Sequence, residues 1–415
     1  MIKEIKVVIG ANYGDEGKGL VTSYLSQEAA KRNKKILNVL YNGSCQRGHT
    51  VDINENIKHT FHHFGSGTLS GADTYFDKDF MVNPIFFNEE YAELKAKFLI
   101  EPVSYVDPRC RFVTPYDMIL NQIIEEQRDK ERHGSCGYGV FECRLRNEHP
   151  RLRCLYGSFC EKTDSERREY LNWIRKIYLP KRLQDLNYEI SEKWKRIIDD
   201  TGIIEQYLID FKRMEELCTM KYMFSAIESD TETYDTIIFE GGQGLALDED
   251  NLENYPNLTP SHTGSNVPIE RVVKDSILKN YSIEICYVTR SYFTRHGAGN
   301  FPTECSINEI NKDIVDDTNV YNNFQHNIRY GKFDFGEFYN RVSADYIDML
   351  LFTEISTSIK TSLFVTHLNY TNEDIYGNTS LKRLEVLFEN VYVSNSKYAK
   401  DIKCIKSEEV LNDND

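Results

Sequence analysis

Short runs of apolar, β-branched residues recur along the chain and predict buried strands. The first run, IKVVIG at residues 5–10, is apolar on both faces, which is typical of a central parallel strand. Further runs predict strands at residues 36–43, 236–240, 281–290 and 362–369. Because these runs lie far apart along the chain, we expect an α/β fold with a large, mostly parallel central sheet and helical insertions.

Helical spacing of apolar residues is found between the predicted strands. The segment after the glycine-rich run at residues 10–19 predicts a helix, and so do residues 115–133. The charged segment from about 160 to 220 predicts a helical subdomain, in which Pro180 marks a break.

These patterns divide the chain into three parts. We expect a first part of the α/β core that carries the glycine-rich loop, a mostly helical insertion, and the rest of the core. Their predicted bounds are residues 1–120, 121–233 and 234–415.

Charge and cysteine content exclude several classes of protein. The formal net charge is -15, whereas nucleic-acid binding and anionic-membrane binding need a basic surface. The chain has no run of 18 apolar residues, so no membrane span is expected. The N-terminus runs straight into a predicted strand without a signal peptide, and no CxxC pair occurs among the 10 cysteines. We therefore expect a cytoplasmic protein with free thiols.

The loop after the first strand reads Gly-Asp-Glu-Gly-Lys-Gly, from Gly14 to Gly19. Glycines let backbone amides approach phosphate oxygens closely, and the following helix N-terminus adds positive potential. Lys18 supplies a point charge, and Asp15 suits a general base or a ligand that joins Mg²⁺ to phosphates. The loop lacks the Ser or Thr that follows the lysine of a GxxxxGK[ST] motif. The alternative interpretation is an acidic surface turn.

This loop is the first of six blocks that resemble, in family order, the motifs of adenylosuccinate synthetases. The blocks are ANYGDEGKGLVTSYL, NGSCQRGHTV (42–51), HGSCGYGV (133–140), FEGGQGLALDED (239–250), YPNLTPSHTGSN (255–266) and TRHGAGNFPTE (294–304). The resemblance implies a fold related to P-loop proteins. It also implies a Mg²⁺-dependent ligase that joins L-aspartate to C6 of a 6-oxopurine nucleotide through a 6-phosphoryl intermediate.

The resemblance also implies roles for single residues. Asp15 would be the base and a Mg²⁺ ligand, His49 the acid or donor at the phosphoryl group, and the Gly48 carbonyl a second metal ligand. The residues implied in NTP and phosphate binding are Gly14, Glu16, Gly17, Lys18, Gly19 and Thr50.

A further set is implied in binding the purine nucleotide, namely Gln46, Ser135, Cys136, Gln243, Thr259 and Arg144. Either Arg144 or Arg146 matches the arginine that family dimers lend to the neighbouring site. Gln46 and Cys136 replace the family's asparagine and threonine. Without the family, Gln243 is equally a buried turn amide and Thr259 a cap or turn hydroxyl.

Two departures leave the substrates open. The family's arginine-rich aspartate loop corresponds to residues 322–341, where Arg329 is the one arginine retained before the conserved frame. An arginine fork is the natural clamp for a carboxylate, so we expect Arg329 to bind the amino acid. His367 and Asn369 stand where the family has Lys and Asp in its guanine-binding TKLD motif. This departure leaves ATP and dATP open as phosphoryl donors beside GTP.

Three hypotheses follow. The chain ligates aspartate to IMP; or it ligates aspartate to dGMP or another deoxynucleotide, as a phage-encoded branch of the family does; or it binds a purine nucleotide without ligation. Many members of the phage branch lack the loop aspartate that is present here as Asp15. The resemblance implies a homodimer with the nucleoside monophosphate, NTP and L-aspartate as substrates, and no nucleic-acid or membrane partner.

Overall fold

The computed structural model describes residues 3–128, 135–223, 228–229, 232–274, 281–314, 327–353 and 359–407. Its strands are β1 (Lys3–Gly10), β2 (Ile36–Leu40), β3 (His49–Asn54), β4 (Ile57–Phe61), β5 (Asp73–Phe76), β6 (Met81–Val82), β7 (Ser104–Val106), β8 (Arg111–Phe112), β9 (Thr219–Met220), β10 (Glu228–Ser229), β11 (Glu232–Thr233), β12 (Thr236–Gly244), β13 (Tyr281–Arg290), β14 (Phe293–Arg295), β15 (Glu304–Cys305), β16 (Arg329–Gly331), β17 (Ile359–Thr366), β18 (Asn390–Val393) and β19 (Lys403–Lys406).

The helices lie between these strands. They are α1 (Lys18–Lys31), α2 (Pro84–Phe98), α3 (Pro115–Arg128), α4 (Val140–Glu148), α5 (Tyr156–Cys160), α6 (Asp164–Trp173), α7 (Leu179–Asp185), α8 (Glu192–Asp199), α9 (Gly202–Leu217), α10 (Asn266–Lys274), α11 (Ile307–Ile310), α12 (Phe335–Leu350) and α13 (Leu381–Glu385). Helices α3 to α9 follow one another between β8 and β9.

Within the described part of the chain, ten strands form the central sheet, in the order β19-β18-β17-β13-β1-β12-β2-β5-β7-β9. Every pairing is parallel except β18 with β19 at one edge. Strand β1 lies between β12 and β13, and its Val7 pairs with Phe239 on one side and Ile285 on the other, all fully buried. The predicted α/β class with a large, mostly parallel sheet is therefore confirmed.

Parallel strands place their carboxyl ends at one edge of the sheet, and ligands bind there in open α/β folds. The glycine-rich loop leaves β1 at this edge, between the ends of β12 and β13. A small antiparallel sheet, ordered β14-β16-β15, follows β13 directly and stands beside the loop. The hairpin β3–β4 carries His49 at its first residue.

Helices α3 and α5 to α9 pack around a second apolar core built on residues such as Phe112, Phe159 and Phe211. The predicted helix at 115–133 corresponds to α3, and residues 129–134 lie outside the described part of the chain. Pro180 was expected to break a helix, and this prediction was wrong. It is an N-terminal residue of α7, and a π-helical turn at Ile174–Tyr178 joins α7 to α6. The wider π turn shifts the hydrogen-bonding register ahead of the proline, which has no N–H to donate.

All ten cysteines are free thiols. Within the described residues, no helix is long and apolar enough to cross a membrane. The three predicted domain bounds remain a prediction.

Candidate functional site

Side chains from other parts of the chain hold the glycine-rich loop through hydrogen bonds to its backbone carbonyls. Three side chains at or beyond the carboxyl ends of neighbouring strands donate to three consecutive loop carbonyls. The pairs are Thr294 Oγ1 to Gly14 O at 3.3 Å, Arg290 Nε to Asp15 O at 2.5 Å, and Thr366 Oγ1 to Glu16 O at 2.8 Å. This arrangement fixes the loop conformation without using the carboxylate of Asp15.

The carboxylate of Glu16 is turned into the loop and is almost fully buried. It accepts from Asn12 N at 3.1 Å, from Gly14 N at 2.8 Å and from Lys18 Nζ at 2.7 Å. Burial alone would raise the pKa of Glu16, but the Lys18 charge and these hydrogen bonds outweigh it and lower the pKa. Gly10 makes room for this carboxylate, because a Cβ there would lie 2.3 Å from Glu16 Oε2.

Asp15 adopts a left-handed backbone conformation with φ 63°, next to Gly14 at φ 97°. Non-glycine residues rarely adopt this region, and they concentrate at functional sites when they do. The Asp15 side chain remains 22% exposed and forms an ion pair with Arg290. Arg290 thus binds both the backbone and the carboxylate of Asp15.

His49 is 7% exposed, and its Nδ1 lies 2.6 Å from Glu240 Oε1. Glu240 also accepts from Ser66 N at 3.0 Å and lies 3.5 Å from Arg47 NH1. Burial would raise the pKa of Glu240, but the Arg47 charge and the hydrogen bonds from His49 and Ser66 lower it to about 2. Burial lowers the pKa of His49 to about 4 despite the nearby carboxylate. The imidazole is therefore neutral at pH 7, with its Nδ1 proton directed at Glu240.

Helix α1 begins against His49. A Cβ on Gly19 would lie 2.9 Å from His49 Cβ and 3.1 Å from its carbonyl carbon, so no larger residue fits without displacing one of them. The Lys18 charge contributes to the lowered pKa of His49. The loop lysine and the histidine are therefore close neighbours, although 31 positions separate them in the sequence.

Two side-chain amides predicted to bind the purine nucleotide are brought together. A Cβ on Gly43 would lie 3.0 Å from Gln243 Oε1 and 3.5 Å from Gln46 Nε2. The side-chain oxygens of both glutamines are buried and find no hydrogen-bond donor among the described residues. Buried polar atoms normally have partners, so two orphaned amide oxygens beside one glycine indicate a place for a polar ligand.

The other predicted nucleotide contacts lie on loops near this edge. Thr259 is 8% exposed, and its hydroxyl lies 3.5 Å from Ser261 Oγ. Ser135 donates to Asn121 Oδ1 at 2.8 Å. Burial raises the pKa of the neighbouring Cys136 to about 12, so this thiol is protonated.

Arg144 and Arg146 differ in their exposure to solvent. Arg146 is fully buried, where it donates to Asp117 Oδ1 at 2.8 Å and to Phe112 O at 2.8 Å. Arg144 is partly exposed and pairs with Glu249. Arg144 is therefore the one of the two that is accessible at the protein surface.

Arg329 lies on β16 with its fork engaged by Glu304 of β15. Its Nε donates to Glu304 Oε1 at 2.9 Å, and its NH1 donates to Gly299 O at 2.9 Å. An incoming carboxylate would have to share or replace Glu304. Residues 322–326 of the predicted amino-acid loop lie outside the described residues.

The end of β17 presents the residues predicted to bind the NTP base. His367 has φ 62° and its ring stacks on Tyr370 with centroids 6.2 Å apart. Its Nδ1 lies 2.8 Å from Thr366 Oγ1, whose hydroxyl also anchors the glycine-rich loop. Asn369 is exposed.

Thr50, which was also predicted to bind the NTP phosphates, faces Thr60 within the β3–β4 hairpin, with 2.9 Å between the two hydroxyls.

The residues predicted to hold Mg²⁺ both carry oxygen atoms that are accessible from solvent. Asp15 offers a partly exposed carboxylate, and Gly48 is exposed on the loop that precedes β3. Mg²⁺ prefers oxygen ligands and is commonly held by one or two protein groups together with waters and substrate phosphates. The Mg²⁺ site stays a prediction, in which Asp15 would share its carboxylate between the ion and Arg290.

Sequence reasoning missed Arg290, Glu240 and Arg47. The first two stand at or near the carboxyl ends of core strands β13 and β12, where a charged residue interrupts an apolar run. That interruption was the available signal. Their partners could not be read from sequence, because 275 residues separate Arg290 from Asp15 and 191 separate Glu240 from His49.

Known proteins resemble this chain over most of its length. Adenylosuccinate synthetases of Alkaliphilus metalliredigens and Carboxydothermus hydrogenoformans are each 28% identical to it, over 321 and 304 residues. The alignments cover 74% and 72% of this chain and 67% and 65% of those relatives. The aligned part is thus about two thirds of each relative.

Two solved structures share the fold. The fully ligated adenylosuccinate synthetase of Plasmodium falciparum has a TM-score of 0.72 at 17% identity, covering 96% of this chain and 99% of that one. The cyanophage S-2L succinoaminodeoxyadenylate synthetase, bound to dGMP and dATP as an energy donor, has a TM-score of 0.61 at 14% identity, covering 100% and 98%. The adenylosuccinate synthetase family model matches residues 7–414. This chain belongs to the adenylosuccinate synthetase family of C–N bond-forming ligases.

Proposed function

We propose that this protein joins L-aspartate to C6 of a 6-oxopurine nucleoside monophosphate, at the expense of an NTP. The observation that carries the proposal is the contact of His49 with Lys18 and Gly19, in the loop that also carries Asp15, together with the orphaned amide oxygens of Gln46 and Gln243. A protein that only binds nucleotides has no need for a carboxylate fixed by Arg290 and an imidazole fixed by Glu240 in the same place.

The reaction proceeds in two balanced steps. Asp15 removes the N1 proton of the purine, and O6 attacks the γ-phosphorus while the NDP oxygen leaves. The amine of aspartate then attacks C6, the 6-phosphoryl group leaves as inorganic phosphate, and the amine loses a proton. A carboxylate base and a donor at the transferred phosphoryl group are the side chains that these steps require.

His49 stabilises the transferred phosphoryl group with its Nε2. The neutral imidazole that burial favours becomes a donor when negative phosphate charge approaches, because a nearby anion raises the pKa of a histidine. Glu240 holds the ring in place from the opposite nitrogen. Backbone amides of the loop around Glu16 and Gly17 face the NTP phosphates, since the Glu16 carboxylate is itself turned inward.

Asp15 and the Gly48 carbonyl would hold Mg²⁺, which neutralises phosphate charge when bound. Arg329 binds a carboxylate of aspartate in exchange for Glu304. Arg144 reaches the nucleotide of a second copy of the chain in a homodimer.

The base of the phosphoryl donor is decided by Asn369. A carboxylate at this position accepts from the N1–H and 2-amino groups of guanine, whereas an amide both donates and accepts. The amide also matches adenine, whose edge carries one amino donor and a ring-nitrogen acceptor. We therefore include ATP and dATP with GTP among the donors.

A substrate grid tests the proposal. Purified protein with Mg²⁺ and L-aspartate is incubated with IMP, dIMP, GMP or dGMP against GTP, ATP or dATP, and products are identified by mass. An aspartate adduct in any combination supports ligation and names both nucleotides. If the protein binds nucleotides but no combination yields an adduct, the proposal is contradicted.

A further inference from the structure

Helix α12 connects the strand that carries Arg329 to the glycine-rich loop, two parts of the site that lie far apart in the sequence. It begins at Phe335, four residues after the strand that carries Arg329, with Asp334 accepting from Glu337 N at its N-terminus. One turn further along, Glu337 and Arg341 form an i,i+4 ion pair with 3.0 Å between Oε2 and NH1. Both side chains are directed at the glycine-rich loop.

Arg341 contacts the start of that loop with all its nitrogens engaged. Its Nε donates to Ala11 O at 3.2 Å, and its NH2 donates to Asn12 Oδ1 at 2.9 Å. Asn12 in turn donates to Thr289 Oγ1 at 2.8 Å, on the residue before Arg290. Arg341 therefore acts on the same strand end that holds Asp15.

Tyr13 is the second point of contact. Its ring is 5% exposed, and the guanidinium groups of Arg341 and Arg295 each lie 5.0 Å from the ring centroid. Its hydroxyl donates to Glu337 Oε2 at 3.0 Å. Cation–π contacts are stronger when the guanidinium group is removed from water, so this cluster resists displacement of the loop two residues before Asp15.

We propose that Arg341 and Glu337 are positioning residues that hold the Asp15 loop through Tyr13 and Asn12, and thereby couple the amino-acid side of the site to the catalytic loop. Neither side chain needs to touch a substrate for this role. The inference rests on the proposed ligation for its effect on turnover, but the restraint on the loop is a property of the free protein.

Two measurements keep the inference separate from the proposed function. Hydrogen–deuterium exchange of peptides covering residues 10–19 is compared in wild type, Arg341→Ala, Glu337→Gln and the control Arg383→Ala. Arg383 is exposed on α13 and stacks on Phe335 of α12 at 3.6 Å, so its loss removes a contact to α12 that does not involve the loop. We expect exchange of the loop peptides to become at least tenfold faster in Arg341→Ala, and to stay at the wild-type rate in Arg383→Ala. Loop exchange unchanged in both Arg341→Ala and Glu337→Gln would overturn the inference, whatever the substrates are.

Turnover supplies the second measurement once the grid has named the substrates. Arg341→Ala should lower kcat at least tenfold while the KM for aspartate changes less than threefold, and Arg383→Ala should retain wild-type kcat. Glu337→Gln keeps an acceptor for the Tyr13 hydroxyl, so it serves as a milder variant if Arg341→Ala fails to fold. Its kcat should lie between those of Arg341→Ala and Arg383→Ala. A rise in aspartate KM with unchanged kcat would show that Arg341 binds substrate directly, and would overturn its role as a positioning residue.

Discussion

Nδ1 of His49 lies 2.6 Å from Oε1 of Glu240, in a buried pair that links the first hairpin to the central strand β12. The ionised carboxylate fixes which ring nitrogen carries the proton and leaves Nε2 to the substrate. We therefore expect Glu240→Gln to lower kcat roughly tenfold to a hundredfold, as loss of an orienting partner does at metal-binding histidines. Steady-state kinetics check this, with nucleotide binding measured in parallel. Unchanged kcat would remove Glu240 from the mechanism.

The two proposed reacting side chains should be indispensable. Asp15→Ala and His49→Ala remove the base and the donor, which typically contribute roughly a hundredfold to ten-thousandfold each. Phosphate release should fall by that factor in each variant, while the thermal midpoint stays close to that of the wild type. Near-normal turnover in either variant would show that its role has been misassigned.

The buried histidine makes stability depend on pH. The pKa of His49 is lowered to about 4 in the folded state, against about 6.5 for an unfolded histidine. The unfolded chain therefore binds the extra proton between these values, so this contribution to stability is present above pH 6.5 and is lost as the pH falls toward 4. Urea unfolding at pH 7 and pH 5 should show a smaller loss for His49→Gln than for wild type. Identical pH dependence in the two proteins would contradict the buried, neutral imidazole.

The contact between Gly19 and His49 explains why the loop ends in Lys-Gly rather than Lys-Ser or Lys-Thr. In Gly19→Ala, the new methyl group would stand 2.9 Å from His49 Cβ and displace the ring from the phosphoryl group. A displacement of this size lowers kcat by roughly tenfold to a hundredfold. Gly202→Ala is the matched control, because Gly202 also begins a helix, α9 in the helical region, and its methyl group would lie 3.0 Å from Oδ1 of the exposed Asp200. Equal kinetics in both variants would argue against the close contact.

Arg329 is expected to bind aspartate. Loss of a charge-assisted hydrogen bond costs about 1.5–3 kcal/mol, so Arg329→Ala should raise the aspartate KM by roughly tenfold to a hundredfold. Arg168→Ala is the control, since it breaks a comparable two-bond pair with Glu205 in the helical region. An aspartate KM that is the same in both variants would exclude Arg329 from the amino-acid site.

Local patterns carried the fold prediction a long way. Strands β1, β2, β12, β13 and β17 were predicted because continuous β-branched runs are buried on both faces of a parallel sheet. The short strands β9 and β19, at the two edges, carry no such run, and the antiparallel pairing of β19 is set by tertiary contacts. Pro180 was misjudged because a π turn changes the hydrogen-bonding pattern that the prediction assumed.

The sequence predicted the loops of the candidate site but not the distant side chains that hold those loops in place. Glycines, Asp15 and His49 stand in compact motifs, which the sequence displays directly. Arg290, Glu240 and Arg341 act on those motifs from distant parts of the chain, so only the folded sheet brings them together. Their identity depends on which strand ends are neighbours, and that is a property of topology rather than of local sequence.

The most direct test of the account follows one oxygen atom. In the proposed reaction O6 of the purine becomes an oxygen of the released phosphate, because O6 attacks the γ-phosphorus before aspartate attacks C6. The acceptor nucleotide named by the substrate grid is therefore supplied with oxygen-18 at position 6, and both products are analysed by mass. The account predicts labelled inorganic phosphate and an aspartate adduct without the label. Unlabelled phosphate, with oxygen-18 retained on the nucleotide, would contradict it.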